Sequence, residues 1–367
     1  MKVLIIGLYN KLGGIEKCIY DYVSHMKSDN ISVGLVGAPK HIWFEEEFIK
    51  LGCKIHPVCK RTRIISYYKN LCNIIKENHY EIIHINMLSM ANCIPILASK
   101  KCGAKIICHS HNSSIPKGSV QGIIKSFFHT INKVRFRKVD MQRLACSQEA
   151  GVFLYGKKSN FFVLNNAIDV ERFSFNENLR KTKRKELGIT DSTIVLGQVG
   201  RFEYQKNQIF TIKMFNELIK QNNNIVLLFV GTGSLLEDCK EYVKKLNLEN
   251  KVIFCGQQND IPSFLCAMDI FMFPSHFEGL SVAGVEAQCS GIPIIASDTI
   301  SKEMEKTDLI TWCNLEKPIQ EWISAIENRI NNLPSRELYS KIITECGFDI
   351  SEQAQYLLNI YNNCMEI

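Results

Sequence analysis

No uninterrupted apolar stretch in this 367-residue chain approaches the roughly 20 residues a helix needs to cross a bilayer, which argues against an integral membrane protein. The opening Lys2-Val3-Leu4-Ile5-Ile6 is too short for a signal-peptide core and runs into Gly7, so it is expected to be a first strand and its loop. No two cysteines stand at Cys-x-x-Cys spacing, and their total, 15, is odd. Most lie in apolar runs, such as Cys108, Cys146, Cys255 and Cys289, which points to reduced, buried thiols in a cytosolic protein and away from a metal site. The dinucleotide fingerprint is missing as well. Gly7 and Gly13 are too far apart for it, Gly231-Thr232-Gly233 lacks the third glycine, and no Walker Lys-Ser/Thr follows. That counts against a dehydrogenase. Neither an internal repeat nor a low-complexity tract is present.

What is there is ordinary in composition and uneven in charge. Hydrophobic residues make up 46% and charged residues 22%, as in a soluble globular protein, and the length favours two domains. The net charge of +7 hides an asymmetry: 24 Lys/Arg face 10 Asp/Glu through residue 168, and 20 face 27 after it. A basic first half and an acidic second half imply that the first alone meets something anionic.

Short β-branched runs alternate with helical segments throughout. Strands are expected at 2–7, 32–36, 54–58, 81–86, 104–109, 143–147 and 161–165, then at 193–199, 225–230, 251–255, 269–273, 292–297 and 308–312. Helical periodicity falls between them, at 15–27, 90–101, 207–220, 235–246 and 282–290 among others. The alternation predicts an α/β protein with two doubly wound, Rossmann-like domains facing across a cleft at the carboxyl ends of their sheets. The polar interval 169–190 is expected to be the connection. Domains are therefore expected at 1–168 and, with that linker, 169–348, and a last amphipathic helix, 349–367, is expected to return to the first domain.

The most informative pair is Glu278 and Glu286, in a stretch where an apolar strand ends at Pro274 and a small-residue helix follows. On an unbroken helix, residues eight apart are offset by about 80° and about 12 Å, and would not converge. With Glu278 in the loop, the free amides of Gly279, Leu280, Ser281 and Val282 face outward, where the helix dipole favours an anion. A diphosphate fits there, and the two carboxylates accept hydrogen bonds from sugar hydroxyls on either side. The alternative is a capped surface helix with two solvated acids. Arg201 and Lys206 bracket the loop after strand 193–199, where fixed cations would stabilise a departing diphosphate, or would be ordinary surface charges. Gly231 and Gly233 allow either close approach of a ligand or a tight turn. Gly13-Gly14-Ile15-Glu16 opens a helix and can approach a phosphate or an acceptor. His109 and His111 end a strand, where a neutral imidazole can orient a sugar hydroxyl; metal ligation is the rival.

The segment 117–143 carries seven cations, Lys117, Lys125, Lys133, Arg135, Arg137, Lys138 and Arg143, against Asp140. Ile124, Phe127, Phe128, Ile131 and Val134 form an apolar stripe at helical spacing, with Arg135 and Lys138 continuing that face. Such a helix either lies on an anionic bilayer or packs its stripe into a core.

Taken together, Gly13-Gly14-Ile15-Glu16, His109-Ser110-His111-Asn112, Asn165-Asn166-Ala167-Ile168-Asp169, Gly200-Arg201 with Lys206, Gly231-Thr232-Gly233 and the Glu278/Glu286 block resemble the retaining GT-B glycosyltransferases of sugar-transferase family 4, of the bacterial capsule and exopolysaccharide type. The resemblance covers nearly the whole chain, and the paired glutamates are its specific part. It implies that Arg201 and Lys206 hold the diphosphate, Glu278 the sugar hydroxyls and Glu286 the ribose, with the backbone of 279–282 on phosphate. It further implies His111 beside the transferred sugar, Gly14 near the phosphates and acceptor, and no bound metal or other cofactor. Two departures stand out: Asn165-Asn166-Ala167 replaces Pro-Asn-Gly, and Ser234 replaces the proline after Gly233.

The expected activity is transfer of a hexose or N-acetylhexosamine, from a UDP-sugar, to a lipid-linked saccharide for capsule or exopolysaccharide. The enzyme is expected in the cytoplasm, peripheral on an anionic membrane, without nucleic acid as partner. The rivals are a nucleotide-sugar epimerase or hydrolase of the same fold, and a non-catalytic scaffold.

Overall fold

The computed structural model describes residues 1–8, 14–26, 28, 30–37, 42–115 and 120–366. The chain divides into Met1–Ala167 with Ile350–Ile367, and Ile168–Asp349.

In the first unit, seven parallel strands run β1 (Lys2–Ile6), β2 (Ser32–Gly37), β3 (Lys54–Pro57), β4 (Ile82–Met87), β5 (Lys105–Ser110), β6 (Gln142–Ala145) and β7 (Phe162–Val163). Their spatial order is β3-β2-β1-β4-β5-β6-β7. β4, Ile-Ile-His-Ile-Asn-Met, is buried at every position, as a strand covered on both faces must be. Alternation then sorts the core. Val3, Ile5, Val33 and Leu35 face one layer, with Ile19 and Tyr22 of the helix Gly14–His25. Leu4, Ile6, Ile83 and Ile85 face the other, with Tyr67, Leu71 and Ile96. The final helix, Ile350–Glu366, buries Ala354, Leu357, Leu358 and Tyr361 against the first of these layers. Each buried leucine contributes about 1.5–3 kcal/mol.

The second unit has six parallel strands: β8 (Ile194–Val199), β9 (Ile225–Val230), β10 (Val252–Phe254), β11 (Ile270–Phe273), β12 (Ile294–Ser297) and β13 (Ile310–Cys313). Their order is β10-β9-β8-β11-β12-β13. The chain winds outward from β8 in one direction and from β11 in the other. The loops after β8 and β11 therefore diverge at the switch point, where open α/β sheets form their ligand crevice.

The polar interval 169–190 is not a linker. It folds as two helices of the second unit, Val170–Phe173 and Glu177–Glu186. Two of its charges, Arg180 and Arg184, are satisfied inside, while most of the others stay exposed. Arg180 donates to Asp269 at 2.5 Å and Arg184 at 3.2 Å, and both also donate to carbonyls at 266–268. Arg184 is fully buried, and burial depresses its guanidinium pKa against the opposing pull of Asp269. Composition alone hid this, because buried ion pairs and solvated linkers draw on the same residue types.

Candidate donor site and the basic helix

The loop after β8 runs from Gly200 through a short 3-10 turn, Tyr204–Lys206, into the helix Gln208–Leu218. Asn207 joins them in the left-handed conformation at φ 56°, which asparagine tolerates better than most residues. Its side-chain amide donates to the Pro274 carbonyl at 3.2 Å. Gln205 adds two more ties: its carbonyl accepts from the His276 N–H at 2.9 Å, and its side chain donates to the Phe277 carbonyl at 2.9 Å. The loops after β8 and β11 are thus sewn together by residues that sequence reasoning passed over.

This seam brings Lys206 and Glu278 together. Lys206 Nζ lies 2.7 Å from Glu278 Oε1, with side chains only 15% and 11% exposed. The ammonium also rests over the Phe273 ring, 4.8 Å from its centroid. Two of the predicted site residues therefore form one ion pair at the switch point, against an apolar wall that strengthens their field. Arg201, in the same loop, is exposed, and its carbonyl accepts from the Gln208 side chain at 2.9 Å.

Beyond Glu278 come Gly279, exposed, and Leu280, half-buried. Ser281 then leads into the helix Val282–Cys289, and no side chain caps its first turn. The amides that predict anion binding thus begin an uncapped helix. Glu286 is half-buried on that helix. Gly231 and Gly233 have a structural reason to be glycine. A Cβ on Gly231, at φ 140°, would lie 2.1 Å from the Gly200 carbonyl oxygen, and one on Gly233 would lie 2.3 Å from that of Phe202. The side on which each lacks a side chain is filled by the protein's own backbone.

In the first unit, His111 follows β5 and is half-buried, while His109 is inside the unit. His111 Nε2 is 2.7 Å from Asn86 Oδ1, and its ring lies on His109 at 4.1 Å between centroids. His109 in turn stacks on His84 at 5.4 Å, and His84 Nδ1 meets the Tyr361 hydroxyl at 2.7 Å. Burial lowers the pKa of His111 to about 4, with the Asn166 side chain pulling the other way. Burial, with His111 nearby, lowers that of His84 to about 3. The column is neutral near pH 7. Gly14 is the first residue of its helix, and a Cβ there would meet nothing within 4 Å among the described residues; Gly13 lies outside them.

The basic helix is inverted. Val120–Arg135 buries Gly122, His129 and Asn132, and exposes Val120 (73%), Ile123, Ile124, Phe127 (61%), Phe128, Ile131 and Val134. The polar face docks by hydrogen bonds: Met90 N–H donates to His129 Nδ1 at 3.1 Å, and Asn132 donates to the Met90 carbonyl at 2.9 Å. The stripe does not pack into a core. Lys125, Arg135, Arg137 and Lys138 are exposed. Two expectations change. The helix stops at Arg135, so Lys138 lies in the turn beyond it and does not continue the apolar face. Lys133 turns inward to the carbonyls of Val152 and Phe153, at 3.1 and 2.5 Å, in the last turn of the helix Gln148–Tyr155, where carbonyls lack helical partners or, as at Val152, accept a second donor beside the Gly156 N–H. Lys117 lies outside the described residues.

Comparison with known proteins follows the same outline. Residues 180–307 match the family model for glycosyl transferases group 1. A putative glycosyltransferase, EpsF, of Bacillus subtilis (strain 168) is 29% identical over 98% of this chain and 92% of its own length. The UDP-Gal:alpha-D-GlcNAc-diphosphoundecaprenol alpha-1,3-galactosyltransferase of Escherichia coli is 26% identical over 98% of this chain and 96% of its own. Among solved structures, Anabaena HepE in complex with UDP superposes with a TM-score of 0.81 over 99% of this chain and 100% of its own, at 19% identity. That likeness establishes the GT-B fold.

Proposed function

The chain belongs to the glycosyl transferases group 1, of the exopolysaccharide and capsule type, and on that premise we propose a retaining enzyme that moves a hexose or N-acetylhexosamine from a UDP-sugar to a lipid-linked saccharide. The observation that carries this reading is the Lys206–Glu278 pair at the switch point, with Arg201 in the loop of Lys206 and a helix start with no N-cap side-chain bond after Glu278. As the bond from sugar to diphosphate breaks, negative charge builds on the leaving oxygens. Lys206, Arg201 and the amides of 279–282 stabilise that charge where it develops. Glu278 accepts from the sugar hydroxyls, Glu286 from the ribose, and neutral His111 donates or accepts beside the transferred sugar. Gly14 leaves room near the phosphates. With two cations supplied by the protein, transfer is proposed to need no metal, and EDTA should leave the rate unchanged. The UDP bound by HepE and the lipid-linked acceptor in the name of the E. coli relative support the choice of substrates.

The same reading puts the enzyme at the cytoplasmic face of the membrane. The exposed stripe of Val120–Arg135 is flanked by Lys125, Arg135, Arg137 and Lys138, so its partner is apolar inside and anionic at its surface, as an anionic bilayer is. Sedimentation with phosphatidylglycerol vesicles should carry the protein down, less so in high salt. Ile124→Asp with Phe127→Asp should leave it in the supernatant; sedimentation indifferent to both would refute the docking.

Transfer itself is tested by incubating UDP-sugars with a lipid-linked acceptor. The wild type should form product and Glu278→Ala almost none, with its fold retained. Rapid donor consumption without acceptor would favour an epimerase or hydrolase, and binding of neither UDP nor GDP a scaffold.

A further inference from the structure

The seam that joins Lys206 to Glu278 also holds an aromatic pair whose place in the reaction is open. Tyr204 lies between Arg201 and Lys206 and is 70% exposed. One face of its ring is stacked on His276, with centroids 4.4 Å apart and planes 15° from parallel. The backbone of His276 is anchored in turn, because its main-chain N–H donates to the Gln205 carbonyl. Phe277, also exposed, directly precedes Glu278, and its carbonyl is held by the Gln205 side chain. The ring of Tyr204 is therefore supported from behind, and its other face is open. A solitary exposed aromatic needs no explanation. One braced by a second ring, two residues from the paired lysine, is pre-organised to receive a ligand at little entropic cost.

The chemistry of that ligand follows from the ring. An aromatic face carries the negative end of a quadrupole. It repels phosphate oxygens and attracts the polarised C–H bonds on one face of a pyranose, while the phenol at the rim can exchange hydrogen bonds with sugar hydroxyls. A nucleobase would also stack, but Glu286, assigned to the ribose, lies on the helix beyond, whereas Tyr204 shares its loop with the partner of Glu278. We propose that Tyr204, braced by His276, is a stacking platform for a pyranose ring of the saccharide substrates, beside Glu278. The proposal rests on the glycosyltransferase reading, with the donor held in the second unit. The pyranose belongs to either the acceptor or the donor, and the two make different predictions.

The experiment compares wild type, Tyr204→Ala and Tyr204→Phe, with thermal melts to confirm folding. Calorimetric titrations use UDP, UDP-glucose, UDP-galactose and UDP-N-acetylglucosamine; kinetics use a lipid-linked GlcNAc-diphosphate acceptor. Tyr204→Ala should bind UDP as the wild type does. If the platform carries the acceptor, its KM for acceptor rises roughly three- to tenfold while UDP-sugar affinity holds. If it carries the donor's sugar, UDP-sugar affinity falls by that factor. Tyr204→Phe should retain most of either. Weakened binding of UDP itself would mean that the ring serves the base and would overturn the proposal. So would wild-type behaviour of Tyr204→Ala in every arm. A wild type that binds neither UDP nor any of the three UDP-sugars overturns the donor assignment, and the platform with it.

Discussion

Removing one member of the Lys206–Glu278 pair should hurt stability and transfer in different ways, and the difference is measurable. At 2.7 Å and an effective dielectric near 20, the gross attraction of the two charges is about 6 kcal/mol. Removing two ions from water costs several kcal/mol each, so the pair as a whole contributes little net stability. A single charge left behind is another matter. Glu278→Gln strands an ammonium over the Phe273 ring, and Lys206→Met strands a carboxylate. Each should cost about 3 kcal/mol, the low end for a broken buried pair because both side chains retain slight exposure. The double variant removes both charges and should recover about 1–3 kcal/mol relative to the sum of the singles.

Activity should show no such recovery. On the proposed function each single removes a group that acts on the breaking bond, worth about 10²–10³ in kcat, and the double should be at least as poor. Urea denaturation at pH 7 reads the first quantity and single-turnover transfer the second. Strictly additive stabilities would refute the pairing argument. Wild-type turnover by Glu278→Gln would refute the role of the carboxylate.

Gly233→Ala should destabilise by about 1–3 kcal/mol, because its Cβ would meet the Phe202 backbone, which has no flexible end to move aside. Gly14→Ala, whose added Cβ meets nothing within 4 Å among the described residues, should leave the melting temperature unchanged yet slow transfer if substrate lies against it; wild-type kinetics would remove Gly14 from the site. His129→Ala should loosen the inverted helix by about 1 kcal/mol, read as faster amide exchange at Met90. The pKa of His129 is lowered, first by burial and then by Lys133, so His129 is neutral when folded. Acidification below about 6.5 favours the unfolded, protonated ring, and the helix should loosen as pH falls. Exchange at Met90 independent of pH-corrected acidity would contradict this.

The central strands were legible because both-face burial leaves unbroken apolar runs such as 225–230 and 269–273, and the more exposed edge strands β3 and β7 fell on the shorter runs 54–58 and 161–165. Glu278 and Lys206 were legible as chemistry, but their mutual contact was not, since it depends on Gln205 and Asn207, side chains that act through backbone carbonyls 72 and 67 residues away, respectively. Periodicity found the stripe of Val120–Arg135 but not its direction. A stripe facing inward and one facing outward have the same period. The distinguishing residues, His129 and Asn132, are polar groups whose burial is explained by partners distant in sequence, the backbone of Met90 for both and the Phe153 ring for His129. The polar helix Glu177–Glu186 was misread for the same reason, its partner Asp269 lying far along the chain.

His111 shows how far burial constrains the chemistry. With its pKa at about 4, the imidazole is uncharged across the range in which transfer would run, so it cannot offer a fixed positive charge to a departing phosphate. On the proposed function that task falls to Arg201 and Lys206, while a neutral ring suits contact with a hydroxyl. His109 and Asn86 hold the ring in place. The pH profile of kcat should then show no ionisation belonging to His111 between pH 6 and 8. His111→Asn should lower the rate by a similar factor at both ends of that range. An inflection near pH 6.5 in the wild type that disappears in His111→Asn would mean that the imidazole titrates during turnover, and the division of labour between neutral ring and fixed cations would fail.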